Sequence, residues 1–69
     1  MRSGYLVEGW LPTDQVASHA ADGVSFAIAQ YLTKLFLSNG LIARVIAPHS
    51  AGPNELTWFR GQGAFEKLA

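Results

Sequence analysis

His19 and Asp22 are the pair in this chain with the plainest use in catalysis. Read on a helix, positions three apart share a face. A carboxylate that orients an imidazole makes a general base. No Ser or Cys nucleophile motif accompanies the pair, so a solvated His-Asp contact is the simpler reading. Three further acids, Glu8, Glu55 and Glu66, are scattered along the chain. Hydrolysis by paired carboxylates needs two of them roughly 5–10 Å apart in a cleft, and so short a chain offers little cleft. Gly61-Gln62-Gly63 lacks the Lys-Ser/Thr and the following helix of a phosphate loop, and reads as the exit from an element. Two histidines and no cysteine cannot supply the four close-spaced ligands of a structural zinc site. The chemistry-bearing residues therefore predict no enzyme, no metal and no cofactor.

Trp58-Phe59-Arg60, with Arg44 on a neighbouring strand, is the best constellation for nucleic acid. Aromatic side chains on a sheet, flanked by arginine, can stack bases. Against this stand the charges: five Lys/Arg balance five Asp/Glu, for a net charge of +0. Such a chain has no dominant attraction to a phosphate backbone or an anionic lipid surface. Trp and Arg also dominate protein–protein hot spots, so the same residues suit a protein partner better. Binding of nucleic acid through Arg44, Trp58 and Arg60 is the alternative reading.

Composition points the same way. Of 69 residues, 49% are hydrophobic and only 14% charged, below the roughly 25% charge of ordinary domains. The chain is one domain, residues 1–69, with a small interior. It has no disulfide to staple it, which leaves oligomerisation. Apolar side chains that do not fit inside must form a contact surface. Met1-Arg2-Ser3-Gly4 begins with a cation, but Glu8, Pro12 and Asp14 break any apolar run a signal peptide would need. No stretch nears the roughly 18 apolar residues of a membrane span. The expected location is the cytoplasm, without membrane contact.

These residues need elements to position them. Tyr5, Val7 and Trp10 predict a strand over about Ser3 to Trp10, ended by Leu11-Pro12. A helix is expected from about Thr13 to Ser38, with Asn39-Gly40 closing it. At 100° per residue, Val16, Ala20, Val24, Ile28, Tyr31, Leu32 and Leu35 fall on one side, and the phase runs through Gly23, which favours one helix, with a kink at Gly23 as the alternative. Ile28→Ala should then cost roughly 2–5 kcal/mol. A hairpin is expected from Leu41–Pro48 and Glu55–Arg60, joined by the turn-rich His49-Ser50-Ala51-Gly52-Pro53-Asn54. The last residues would form at most one helical turn. The resulting fold class is α+β in the order β-α-β-β: one long helix packed on a three-stranded sheet.

Two surfaces would remain apolar. On the helix, Phe26 and Leu37 stand among polar residues and, with Gln30, suggest a contact seam. On the sheet, facing Tyr5, Val7, Leu41, Val45, Leu56 and Trp58 to the helix leaves Leu6, Trp10, Ile42, Ile46 and Phe59 outside, with Glu8, Arg44 and Glu55 among them. Strands apolar on both sides suit a sheet covered on both faces. Partner-binding candidates are therefore Trp10, Phe26, Gln30, Leu37, Ile42, Arg44, Ile46, Phe59 and Arg60. One surface would serve a homodimer and the other a foreign protein.

In element order the chain resembles small bacteriophage-encoded inhibitors of host machinery, in particular type I anti-CRISPR proteins. The strand Gly4-Tyr5-Leu6-Val7-Glu8, the alanine-rich segment Ala17 to Gln30, and the hairpin segments Leu41-Ile42-Ala43-Arg44-Val45 and Leu56-Thr57-Trp58-Phe59 carry the resemblance. It implies a stoichiometric protein that blocks a larger host complex sterically, in the host cytoplasm. Many such inhibitors are strongly acidic DNA mimics. This chain is neutral, so occlusion of a protein site is what the resemblance implies here.

Overall fold

A computed structural model describes residues 3–68. Six elements follow one another: β1 (Tyr5–Trp10), β2 (His19–Val24), α1 (Phe26–Ser38), β3 (Ile42–Ala47), α2 (Pro53–Gly61) and β4 (Phe65–Leu68). The fold is α+β as expected, but it has four strands and two helices. The strand order is β2-β1-β3-β4. β1 runs antiparallel to both β2 and β3, whereas β3 and β4 are parallel. A parallel pair needs a crossover rather than a tight turn, and α2 supplies it.

The expected long helix divides at Gly23. Its φ of +70° belongs to the left-handed region that glycine enters freely. Gly23 lies within β2, where the register with β1 shifts between Tyr5 and Val7, and Val24 still pairs with Tyr5. After it, Ser25 caps α1, its Oγ accepting from the Ile28 N–H at 3.3 Å. The helix ends where the sequence indicates, with the Asn39 side chain donating to the Leu35 carbonyl at 2.8 Å.

The second strand of the expected hairpin, Glu55 to Arg60, is helical instead. Gly52-Pro53-Asn54-Glu55 reads equally well as a helix start. Proline is favoured at the first helical position. Three residues after the Gly52 cap, the Glu55 carboxylate reaches back to the Gly52 N–H at 3.3 Å. The tail, expected as a helical turn, pairs with β3 as β4.

Both helices pack on one face of the sheet. Tyr5 and Val7 of β1, and Ala43, Val45 and Ala47 of β3, point into that layer and are buried. Gly9 continues the inward row of β1: a Cβ there would lie 2.8 Å from the Phe36 ring. The absent side chain lets Phe36 lie directly on the strand. Phe59 is fully buried, in ring contact with Tyr5, Phe26 and Trp58 at centroid separations of 5.5, 5.6 and 5.2 Å. The Tyr5 hydroxyl donates to the Glu55 carboxylate and ties β1 to α2.

The inward side of α1 is largely the reverse of the one expected, Leu32 alone of the helix's expected core residues packing inward. Ala29, Thr33 and Phe36 are buried, and Phe26, Leu32 and Leu37 pack against them. Ile28, Tyr31 and Leu35 are 48%, 61% and 39% exposed. Once β2 is removed from the periodic run, the 13 residues of α1 have little polar contrast between their sides. Fit then decides. Ala29 and Thr33 are small enough to approach the sheet closely. Thr33 satisfies its own hydroxyl by donating to the Ala29 carbonyl at 2.8 Å, so its burial leaves no unmet polar group.

Candidate protein-binding face

Among the described residues, no helix or strand layer covers the sheet face away from the helices. Strand alternation sends Leu6, Glu8 and Trp10 of β1 to that face. The β1–β3 register sets them directly opposite Ile46, Arg44 and Ile42. Three cross-strand pairs result: apolar, ionic and apolar again. Glu8 also stands opposite Ala20 of β2, and Lys67 of β4 stands opposite Ile46. The centre is therefore an ion pair flanked by apolar groups.

The ion pair is well formed. Arg44 donates to one Glu8 oxygen from Nε at 2.9 Å and from Nη2 at 2.7 Å. Its guanidinium also lies 5.5 Å from the centre of the Trp10 ring, within reach of a cation–π attraction. Trp10 and Glu8 thus hold Arg44 flat on the face. A fixed guanidinium loses less side-chain freedom on meeting a partner than a free one does.

A lip overhangs one end of the face. The β1–β2 connection turns at Leu11–Asp14, where the Asp14 N–H donates to the Leu11 carbonyl at 2.9 Å. It rejoins the sheet with the Ser18 N–H on the Gly9 carbonyl at 3.0 Å. Between these points Gln15, Val16 and Ala17 edge a shallow hollow of about 350 Å³ over Glu8, Trp10 and Arg44. Val16 is 77% exposed at its rim.

Of the residues expected to bind a partner, Trp10, Ile42, Arg44 and Ile46 meet on this one face. The others do not join them. Phe59 is in the core, because Glu55 to Arg60 is a helix whose inward residue it is. Phe26 and Leu37 pack into the core and Gln30 is half-buried on the same side of α1, because that helix is turned the other way. Arg60 lies on α2 and pairs with Glu66, donating from Nε at 2.8 Å. The Arg60 guanidinium holds the Glu66 carboxyl below the usual carboxylate range.

The proposed nucleic-acid trio is also divided. Trp58 belongs to α2, half-buried against Phe26 and Phe59 and with the Lys34 ammonium 5.7 Å above its ring. Arg44 is on the opposite side of the sheet. Each arginine among the described residues already has a carboxylate partner. His19 and Asp22 lie on a strand rather than a helix, so their spacing no longer brings them together. The His19 ring lies 5.7 Å from Phe36, and its Nδ1 is 3.0 Å from Ser18 Oγ. Asp22 accepts from the Gly23 N–H at 2.8 Å. No group of three His, Cys, Asp or Glu residues fit to hold a metal occurs among the described residues. Among them, too, no helix is long and apolar enough to cross a membrane.

No family model, no curated protein and no solved structure matches the chain significantly.

Proposed function

We propose that this protein acts without catalysis, by binding another protein through the open sheet face. The supporting observation is the composition of that face. Leu6, Trp10, Ile42 and Ile46 surround a guanidinium already neutralised by Glu8. An apolar field with a fixed Arg and a Trp at its centre has the make-up of a protein hot spot. A face whose central arginine is already paired with a carboxylate offers little to a polyanion. Steric occlusion of a host complex in the cytoplasm is the special case suggested by the phage-inhibitor resemblance. That case now leans on the surface alone, because the strand–helix order behind the resemblance is different in the fold.

The test is affinity capture from lysate by the native chain and by an Ile42→Ser/Ile46→Ser double variant, with folding checked by circular dichroism. A protein retained by the native chain at about 0.5 M salt and lost by the folded variant is the expected result (roughly three times physiological ionic strength). Retention of nucleic acid alone, released as salt rises, overturns the reading in favour of the arginine-and-aromatic alternative.

A further inference from the structure

The β1–β2 connection and the C-terminal end of α1 enclose a cleft of about 470 Å³. Ligand pockets for small molecules span this size. Leu11 and Leu35 line it while remaining 48% and 39% exposed, and Phe36 and Leu41 complete its apolar walls. The His19 ring, 5.7 Å from that of Phe36, adds a second ring to the lining. The Ser18 hydroxyl holds this imidazole by its Nδ1 at 3.0 Å.

The electrostatics of the cleft have one sign. Asp14 is the one formally charged residue of its lining. Its Oδ2 accepts from the Leu11 N–H at 3.3 Å, which leaves Oδ1 for a ligand. The carboxyl end of α1 closes the cleft through Leu35, Phe36 and Asn39. A helix end of this kind carries partial negative charge, normally balanced by a basic residue in the last turn. The last turn of α1 has none. Asn39 spends its amide nitrogen on the Leu35 carbonyl at 2.8 Å, so its side-chain oxygen remains as a further acceptor. A carboxylate and a helix carboxyl end thus act on one apolar cleft whose lining holds no Lys or Arg.

We propose that this cleft binds a small primary amine carried on a compact apolar body. The ammonium answers Asp14 and the end of α1, and the body lies against Leu11, Leu35 and Phe36. An anion of the same shape meets two negative sources. A wholly apolar molecule covers the Asp14 carboxylate without giving it a partner, which costs free energy. A lysine side chain of another protein brings the ammonium without the apolar bulk that the leucine walls call for. The site is separate from the open sheet face: Gln15, Val16 and Ala17 edge the hollow over Arg44, whereas Leu11, Asp14 and Ser18 line this one. Neither proposal needs the other.

Three probes that share a phenyl ring and differ in head group test it: phenethylammonium, 2-phenylethanol and phenylacetate. Each is titrated into the native chain and followed by amide chemical shifts. Phenethylammonium should saturate with a dissociation constant on the order of 1 mM, as fits so small a ligand. Its shifts should centre on Leu11, Asp14, Ser18, His19 and the end of α1. The alcohol should bind at least about threefold more weakly, the scale of one partly exposed ion pair, and phenylacetate more weakly still. Asp14→Asn keeps an oxygen for the Leu11 N–H while removing the charge. It should weaken the amine by about the same factor and leave the alcohol nearly unchanged. Leu35→Ala should weaken both. Equal binding of the alcohol or the acid by the native chain overturns the proposal, as do shifts centred elsewhere or the lack of any saturable shift. Unchanged amine affinity in folded Asp14→Asn also overturns it. If that variant does not fold, the three-probe series on the native chain decides alone.

Discussion

Individual residues in this fold are chosen by space as much as by polarity. Phe59 is fully enclosed and touches three other rings, whereas Ile28 remains 48% exposed. Phe59→Ala should therefore cost about 3–5 kcal/mol, enough to unfold so small a domain. Ile28→Ala, measured in dilute protein, should cost less than about 1 kcal/mol, as surface substitutions do. Urea unfolding of both variants checks the pair. The larger loss for Ile28→Ala would mean that α1 packs through its other side. Gly9 shows the same dependence on space. Phe36 occupies the place where its side chain would be, so a contact that would pass for ordinary strand glycine supports the helix above it.

At the level of elements, junctions decide what the intervening residues become. Gly23 bulges β2 by adopting φ +70°, and the Ser25 cap two residues on starts α1. Gly23→Ala would force a side chain into the left-handed region, at roughly 1–2 kcal/mol. Nothing lies within 4 Å of a Cβ there, so the loss should be conformational rather than steric. Amide exchange should show it as faster opening in His19–Val24 with protection of β3 retained. Uniform loss across the sheet would mean that β2 and the core open as one unit. β2 is the element to watch, since it is an edge strand paired to β1 alone and largely exposed on both faces.

Across the whole molecule, one buried polar contact connects the first strand with the second helix. Tyr5 is 4% exposed and donates to Glu55. Its phenol is pushed well above the ordinary tyrosine range, first by burial and then by the bond to and charge of Glu55. A folded-state pKa raised above the unfolded one stabilises the fold fully below the unfolded value, about pH 10, and that contribution is lost as pH rises above it. Urea midpoints should therefore begin to fall as pH passes about 10, where the unfolded phenol ionises, and keep falling until the folded phenol ionises as well. Tyr5→Phe should flatten that fall. An equal slope in the variant would assign alkaline sensitivity to another group. Losing this link would loosen α2, which closes the crossover into β4 and carries Phe59 into the core.

Much of this arrangement was legible before folding. Tyr5, Val7 and Trp10 alternate as a strand should, and the same alternation in Ile42, Arg44 and Ile46 identifies the open-face residues. Asn39-Gly40 ends a helix by local chemistry alone. These features depend on neighbours along the chain, so the amino-acid sequence by itself determined them: an α+β chain, two of its strands and one helix end; the central place of Arg44 on the open sheet face comes from the pairing of β1 with β3. Three decisions needed the tertiary structure. Ala17 to Val24 is compatible with helix or strand, and only pairing with β1 makes 19–24 a strand. Gly52-Pro53-Asn54-Glu55 serves a turn or a helix start, and only the bond from Tyr5 and the burial of Phe59 favour the helix. In α1 both sides are apolar, so hydrophobicity could not choose between them. The choice fell to the close approach of Ala29 and Thr33 to the sheet and to the gap above Gly9 that admits Phe36, because packing in an interior is decided by shape once polarity no longer distinguishes the alternatives.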